Sequence, residues 1–394
     1  MGTDLEAPRT DAGFGDDIAL ADSSKRFLVS ALEVGSKSGA VYVYDLESDE
    51  TSFQQVGQTL YGSSGDELRG RISRDGYTLI VGRPWKTVND DINRGQVEVY
   101  RLSSGRWSQL GNTLTGDKEK DRYGYHFDLS YDGNTIVVGG PIHNDRKGHV
   151  QVYSYQSGKW KQSGGDFDGE YSEDQIGFRN TMSISRDGSI IAIGRRGMCN
   201  TSDGVDCFSK GFIKVYQFGN CPNSSGSCWN QIGNVILGER LGDNFGQTVS
   251  LSADGKTVAG GIWANDPNRK NPSSGRVRVF SYNENCNCWE KVGNKINPFG
   301  ASDWLHKLVL SGNGNYLAVS AASSGEDNVG LTRVYYYNDI TGWGQLGGSL
   351  LGMERGSSPN VSISSDGSHL LLGYPNKQDP DAKGVVRLFR LKLK

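Results

Sequence analysis

Phe127-Asp128-Leu129-Ser130-Tyr131-Asp132-Gly133-Asn134-Thr135-Ile136-Val137-Val138-Gly139 states the architecture of the chain in miniature. An alternating run, an Asp-Gly pair and an apolar run ending in Gly make the signature of a tight β-hairpin. Gly is needed because it accepts the positive φ of the turn. The signal recurs at Asp75-Gly76, Asp187-Gly188, Asp254-Gly255, Asn313-Gly314 and Asp366-Gly367, and as Asp22-Ser23-Ser24 near the start. Neighbouring copies are separated by 53 residues (Asp22 to Asp75) up to 67 (Asp187 to Asp254). That period is close to one four-stranded propeller blade.

Working outward, each repeat reads as four strands. After the hairpin comes a third strand that opens on Gly and alternates, as in Gly95-Gln96-Val97-Glu98-Val99-Tyr100. Its period of two sets Val and Tyr on the face packed against the next sheet. The fourth strand carries an aromatic, then Gln or Lys, then Gly: Phe53/Gln55/Gly57, Trp107/Gln109/Gly111, Trp160/Gln162/Gly164, Trp229/Gln231/Gly233, Trp289/Lys291/Gly293 and Trp343/Gln345/Gly347. Tryptophans recurring at one blade position read as packing wedges rather than a cofactor site.

The chain stops after the seventh third strand, and the missing piece lies at the other end. Gly2-Thr3-Asp4-Leu5-Glu6-Ala7 repeats the Gly-x-x-apolar-x-Gly pattern of Gly111 to Gly116. The expectation is one all-β, seven-bladed β-propeller over residues 1–394, closed by the N-terminal strand as the outer strand of the last blade. Closure removes free sheet edges.

Bulk composition agrees. There are 55 glycines and only 35% apolar residues, as befits many short strands joined by turns. A net charge of −3 implies no strong field for nucleic acid, and no apolar run is long enough to insert in a membrane. Six cysteines form local pairs across loops: Cys199 with Cys207, Cys221 with Cys228, and Cys286 with Cys288. Such pairs suit disulfides in an oxidising compartment, the two-residue ring being the least secure. The sequons at Asn200 and Asn223 sit inside these loops and agree with a secreted or surface-displayed glycoprotein. No signal-peptide pattern precedes Asp11, so any leader would lie upstream of this sequence.

The run Asp243-Asn244-Phe245-Gly246, then Val249-Ser250-Leu251-Ser252, an apolar strand and the pattern Gly-x-Val-x-Val-Tyr resembles the FG-GAP repeat of integrin α-type propellers. Phe14-Gly15 matches as well, Tyr123-Gly124 and Ile176-Gly177 are close, and Gly-x-Pro recurs at Gly82-Arg83-Pro84, Gly139-Gly140-Pro141 and Gly373-Tyr374-Pro375. The resemblance implies a seven-bladed propeller used for adhesion or ligand binding at the cell exterior. It departs from the family's calcium loops: the Ser252-Ala253-Asp254-Gly255 turn has one acidic side chain, whereas calcium wants six to eight oxygens.

By analogy with the family, ligands meet the face made by the loops joining second to third strands and fourth to next first strands. These loops offer Arg83, Trp85 and Lys86, then Arg195 and Arg196, then Trp263, Arg269 and Lys270. Trp85 and Trp263 stand outside the repeated tryptophan position, and rings beside cations suit a sugar bearing an acidic group. The function expected is extracellular recognition of a glycan or partner protein, with oligomeric state open. One alternative is a glycosidase or lyase using Asp16, Asp17 and Asp128 in the channel. The other is a scaffold subunit. His126, His143, His149, His306 and His369 are spread over the repeats with no metal-ligand spacing, and neither metal nor cofactor is expected.

Overall fold

A computed structural model describes the chain except for residues 1–2, 9–11, 24, 34–37, 196–209, 223, 241–242, 263–274, 298–303, 323–328, 354–357, 376–382 and 394. Seven antiparallel sheets follow one another around a ring, a β-propeller. Blades 1 to 7 span residues 12–55, 69–109, 126–162, 182–231, 248–291, 304–351 and 360–390. Blade 3 shows the pattern: His126–Leu129 innermost, then Thr135–Gly140, His149–Gln156 and Lys159–Gln162. Among the described residues the single helical segment is the four-residue turn His143–Arg146. No helix there is long and apolar enough to cross a membrane.

Thr3–Glu6 pairs antiparallel with Val385–Arg390 as the outer strand of blade 7, in the register Leu5↔Val386. In blade 2 the short segment Leu114–Thr115 takes the same place against the third strand, with Leu114↔Val97. The shared pattern at Gly2 and Gly111 therefore had one structural meaning. The Ala7 N–H donates to the Gly384 carbonyl at 3.1 Å, and Arg387 Nη2 donates to Asp4 Oδ2 at 2.6 Å.

The alternating first strands line the centre, and their serines join the blades. Ser362 Oγ accepts the Leu20 N–H, Ser183 Oγ the Leu251 N–H and Ser250 Oγ the Leu310 N–H, at 3.0–3.1 Å. Inner strands of adjacent blades diverge too far for ladder pairing, so side-chain oxygens satisfy the main chain instead. Between sheets the apolar faces meet. Val97, Val99 and Ile80 of blade 2, for example, pack on Phe127, Leu129 and Val138 of blade 3.

The tryptophans are interblade wedges. Trp107, Trp160, Trp229, Trp289 and Trp343 each donate the indole N–H to a carbonyl of the preceding blade, at Val56, Leu110, Ser163, Ile232 and Val292. The following Gly lets the ring in: a Cβ on Gly233 would come within 2.5 Å of Trp289 Cδ1, and its φ is +69°.

The Asp-Gly turns explain their own composition. In blade 3, Asp132 Oδ1 accepts from Ser130 Oγ at 2.8 Å and from the Asn134 N–H at 2.9 Å. Ser130 Oγ in turn accepts the Thr135 N–H at 3.0 Å. The carboxylate is spent on closing the hairpin. Asp132→Ala is expected to cost about 1–2 kcal/mol, read as a shift in denaturation midpoint without loss of fold. An unchanged midpoint would refute that role.

The turns also bond to one another around one end of the ring. Asp22 N–H donates to Arg74 O, Asp75 to Tyr131, Tyr131 to Arg186, Arg186 to Ala253, Ala253 to Gly312, and Asn313 to Ser365. Arg74 Nη1 donates to the Leu20 and Ile363 carbonyls, tying blade 2 to blades 1 and 7. A belt of hydrogen bonds therefore runs along the hairpin face.

Candidate functional site

The opposite face carries the long connections, and over blade 2 they border an open, shallow groove of about 470 Å³. Asp66 and Glu67 come from the connection entering blade 2, and Trp85, Lys86 and Asn93 from the connection between its second and third strands. The half-buried Trp85 ring is fixed twice. Its indole N–H donates to Glu67 Oε2 at 2.8 Å, and the Arg122 guanidinium lies 4.0 Å from the ring centroid. Glu67, Asn93 and Arg122 all hold left-handed backbone, with φ of 48°, 56° and 54°. Non-glycine residues adopt that region sparingly and cluster there at binding sites.

The sequence-derived cations divide. Arg83 reaches inward, 2.8 Å from Asp66 and 3.2 Å from Glu98, and its pKa is raised: burial opposes the charge but Glu98 and Asp66 outweigh it. Lys86 lies 3.7 Å from Asp66. Arg195 is on blade 4, 2.6 Å from Asp174, with the Tyr171 ring 5.6 Å away. Arg83, Trp85 and Lys86 thus share one site, while Arg195 belongs to another blade. Arg196, Trp263, Arg269 and Lys270 lie outside the described residues, as do Cys199, Cys207, Asn200 and Asn223. Cys221–Cys228 and Cys286–Cys288 are disulfides, with Cα separations of 5.3 and 5.2 Å.

At the channel mouth, charges from four blades converge. Arg179 of blade 4 reaches Asp17 of blade 1 at 2.9 Å, and Arg69 of blade 2 lies 3.7 Å from the same carboxylate. Arg71 bonds Asp128 at 3.0 Å, and Asp128 Oδ2 accepts the Ile184 N–H of blade 4 at 3.2 Å. Asp16 is buried and gives its carbonyl to Arg179. Burial pushes the Asp17 pKa up, but Arg179, Arg69, Lys307 and Arg71 together hold it far below the usual carboxylate range. A glycosidase acid needs the reverse, a carboxyl kept protonated near neutral pH. His126 is also buried; burial first, then Arg71, keep it neutral. The channel cavities measure about 90 and about 20 Å³, against roughly 300–1,000 Å³ for a small-molecule pocket. The channel cavities among the described residues are small and lined by paired charges.

Sequence reading identified the channel acids and missed the cations Arg69, Arg71, Arg179 and Lys307 that accompany them. The histidines it read as spread out are partly gathered. His143 and His149 stack face to face at 4.1 Å, 2° from parallel, beside Asp121 and Asp117. The available signal was two short spacings, Asp117-x-x-x-Asp121 and His143-x-x-x-x-x-His149, on consecutive loops of one face.

The class that the fold defines is a seven-bladed β-propeller. No protein-family model matches the chain. Among solved structures it is similar to a Bacteroides uniformis protein named as a proposed 6-phosphogluconolactonase. Identity is 13%, the TM-score 0.55, and the match covers 85% of this chain and 84% of that one. At that identity the likeness is one of fold.

Proposed function

We propose that this protein is an extracellular recognition module that binds an uncharged, hydroxyl-rich glycan in the groove over blade 2. The observation that carries the reading is the Trp85 ring, pinned by Glu67 and covered on one side by Arg122, lining a cleft of ligand-pocket size. A fixed aromatic face suits the apolar face of a sugar ring, and Asp66, Glu67 and Asn93 supply acceptors and donors for hydroxyls. Around the groove Arg83, Lys86 and Arg122 are set against Asp66, Glu67 and Glu98, a balance of charge that favours a neutral sugar over an acidic one. The disulfides Cys221–Cys228 and Cys286–Cys288 support an oxidising, exterior location.

The test is a glycan array followed by calorimetry on the strongest hit. Trp85→Ala is expected to weaken binding at least about tenfold, or roughly 1.4 kcal/mol. Arg195→Ala, on another blade, is expected to bind as wild type does. Equal affinity of Trp85→Ala and wild type would remove the groove from the account.

A further inference from the structure

Asp117 and Asp121 lie on the connection leading from blade 2 into blade 3. His143 is on the connection between the second and third strands of blade 3, and His149 opens the third strand. One ligating atom from each of the four lies within 4.8 Å of the others. His143 Nδ1 is 3.0 Å from Asp121 Oδ1, and His149 Nδ1 is 3.7 Å from Asp117 Oδ2. Four ligands about 2.05 Å from a tetrahedral zinc ion stand about 3.3 Å apart, which these two separations bracket.

His149 supplies an independent observation. Its side chain is fully buried, and neither ring nitrogen has a hydrogen-bond partner. Buried imidazoles almost always satisfy at least one nitrogen, because leaving both without a partner costs free energy. Nε2 sits over Gly140, where a Cβ would be only 2.5 Å away, and Nδ1 faces the Asp117 carboxylate. The surroundings are already organised. Asp121 Oδ2 accepts the Lys118 N–H at 2.8 Å, the Ile142 N–H donates to the Asp121 carbonyl at 3.3 Å, and Lys118 Nζ donates to Asn144 Oδ1 at 2.7 Å. These bonds tie the two loops together, and the His143 and His149 rings, stacked 4.1 Å apart and 2° from parallel, turn about their Cβ–Cγ bonds to bring one nitrogen each onto the ion.

We propose that Asp117, Asp121, His143 and His149 form a zinc-binding site that clips the connection entering blade 3 to the second-to-third-strand loop of that blade. Two imidazoles with two carboxylates and no thiolate suit zinc, whereas calcium and magnesium take all-oxygen shells. The ion takes the place of the hydrogen bond between His143 Nδ1 and Asp121 Oδ1, and any proton on a ligating nitrogen leaves to solvent. Asp117, with its side chain 47% exposed, is the side from which the ion enters. The site does not depend on the groove reading.

The experiment uses the full chain, treated with chelator, freed of it and titrated with zinc chloride. One equivalent is expected to bind in the micromolar range or tighter and to raise the melting temperature, because the ion binds the folded state. Cobalt in its place is expected to give the intense visible bands of a four-coordinate site. His149→Gln is expected to weaken zinc binding by more than about 100-fold, beyond the loss of an outer partner. Asp117→Asn, at the exposed ligand and harmless to folding, is expected to lose at least about tenfold. His369→Gln, in blade 7, is expected to bind as wild type. Absence of saturable zinc uptake by the wild type, or uptake by Asp117→Asn and His149→Gln equal to that of the wild type, would overturn the proposal.

Discussion

Lys307→Met is expected to stabilise the protein at neutral pH by up to about 4 kcal/mol. Lys307 is 6% exposed in the channel. Burial, followed by repulsion from Arg71 and Arg179 against the pull of Asp17 and Asp128, brings its pKa from 10.5 down to about 7. Each tenfold change in proton affinity is about 1.4 kcal/mol. The sign follows from linkage. Between pH 7 and 10.5 the unfolded chain holds a proton that the native ammonium releases, so wild-type stability rises with pH across that interval. Below pH 7 the full cost of burying the charge is present. Methionine fills a similar volume without it. Urea unfolding of both proteins from about pH 6 to about pH 10.5 checks this: the difference should be largest at the acid end and shrink with rising pH. Lys307→Met unfolding at lower urea than wild type throughout would show that the ammonium is fully compensated.

Removing residues 1–8 is expected to cost roughly 3–5 kcal/mol and to promote aggregation. Thr3–Glu6 contributes four register pairs to blade 7, and a backbone hydrogen bond is worth about 0.5–1.5 kcal/mol net. Leu5 and the buried Ala7 add apolar contact with the cluster that includes Phe14, Tyr42, Val386 and Leu388. Without them the strand Val385–Arg390 becomes a free edge, a template for pairing with another chain. Unfolding midpoint and gel-filtration profile report the two effects separately. A truncated chain that melts and elutes as wild type does would show that the ring holds without its outer strand.

The architecture was legible because each repeat states it locally. Ser130, Asp132 and Gly133 are there for one turn, and Trp160 and Gly111 for one interblade contact, so residues close in sequence suffice to read them. Ring closure was legible because Leu5 copies the pattern around Leu114. The sites were not, since they join residues that no local pattern links. Arg179 and Asp17 meet across the channel from blades 4 and 1, and nothing in Phe178-Arg179-Asn180 foretells it. Arg83 looked available on its loop, yet Glu98 lies two register positions along the adjacent strand, where the guanidinium reaches it together with Asp66. Trp85 was identifiable because it breaks the tryptophan period, but its partners Glu67 and Arg122 come from the connections on either side of blade 2.

The belt joining one hairpin to the next has an implication for how such a chain diversifies. The turns of blades 2 to 6 are each donor to one neighbour and acceptor from the other, so lengthening one of them would unseat two others, and that rim is locked collectively. The opposite rim carries second-to-third-strand connections that run from 6 residues (34–39) to 17 (195–211), so it accepts changes of length. New specificities can therefore be written there one loop at a time while the other end keeps the circle true.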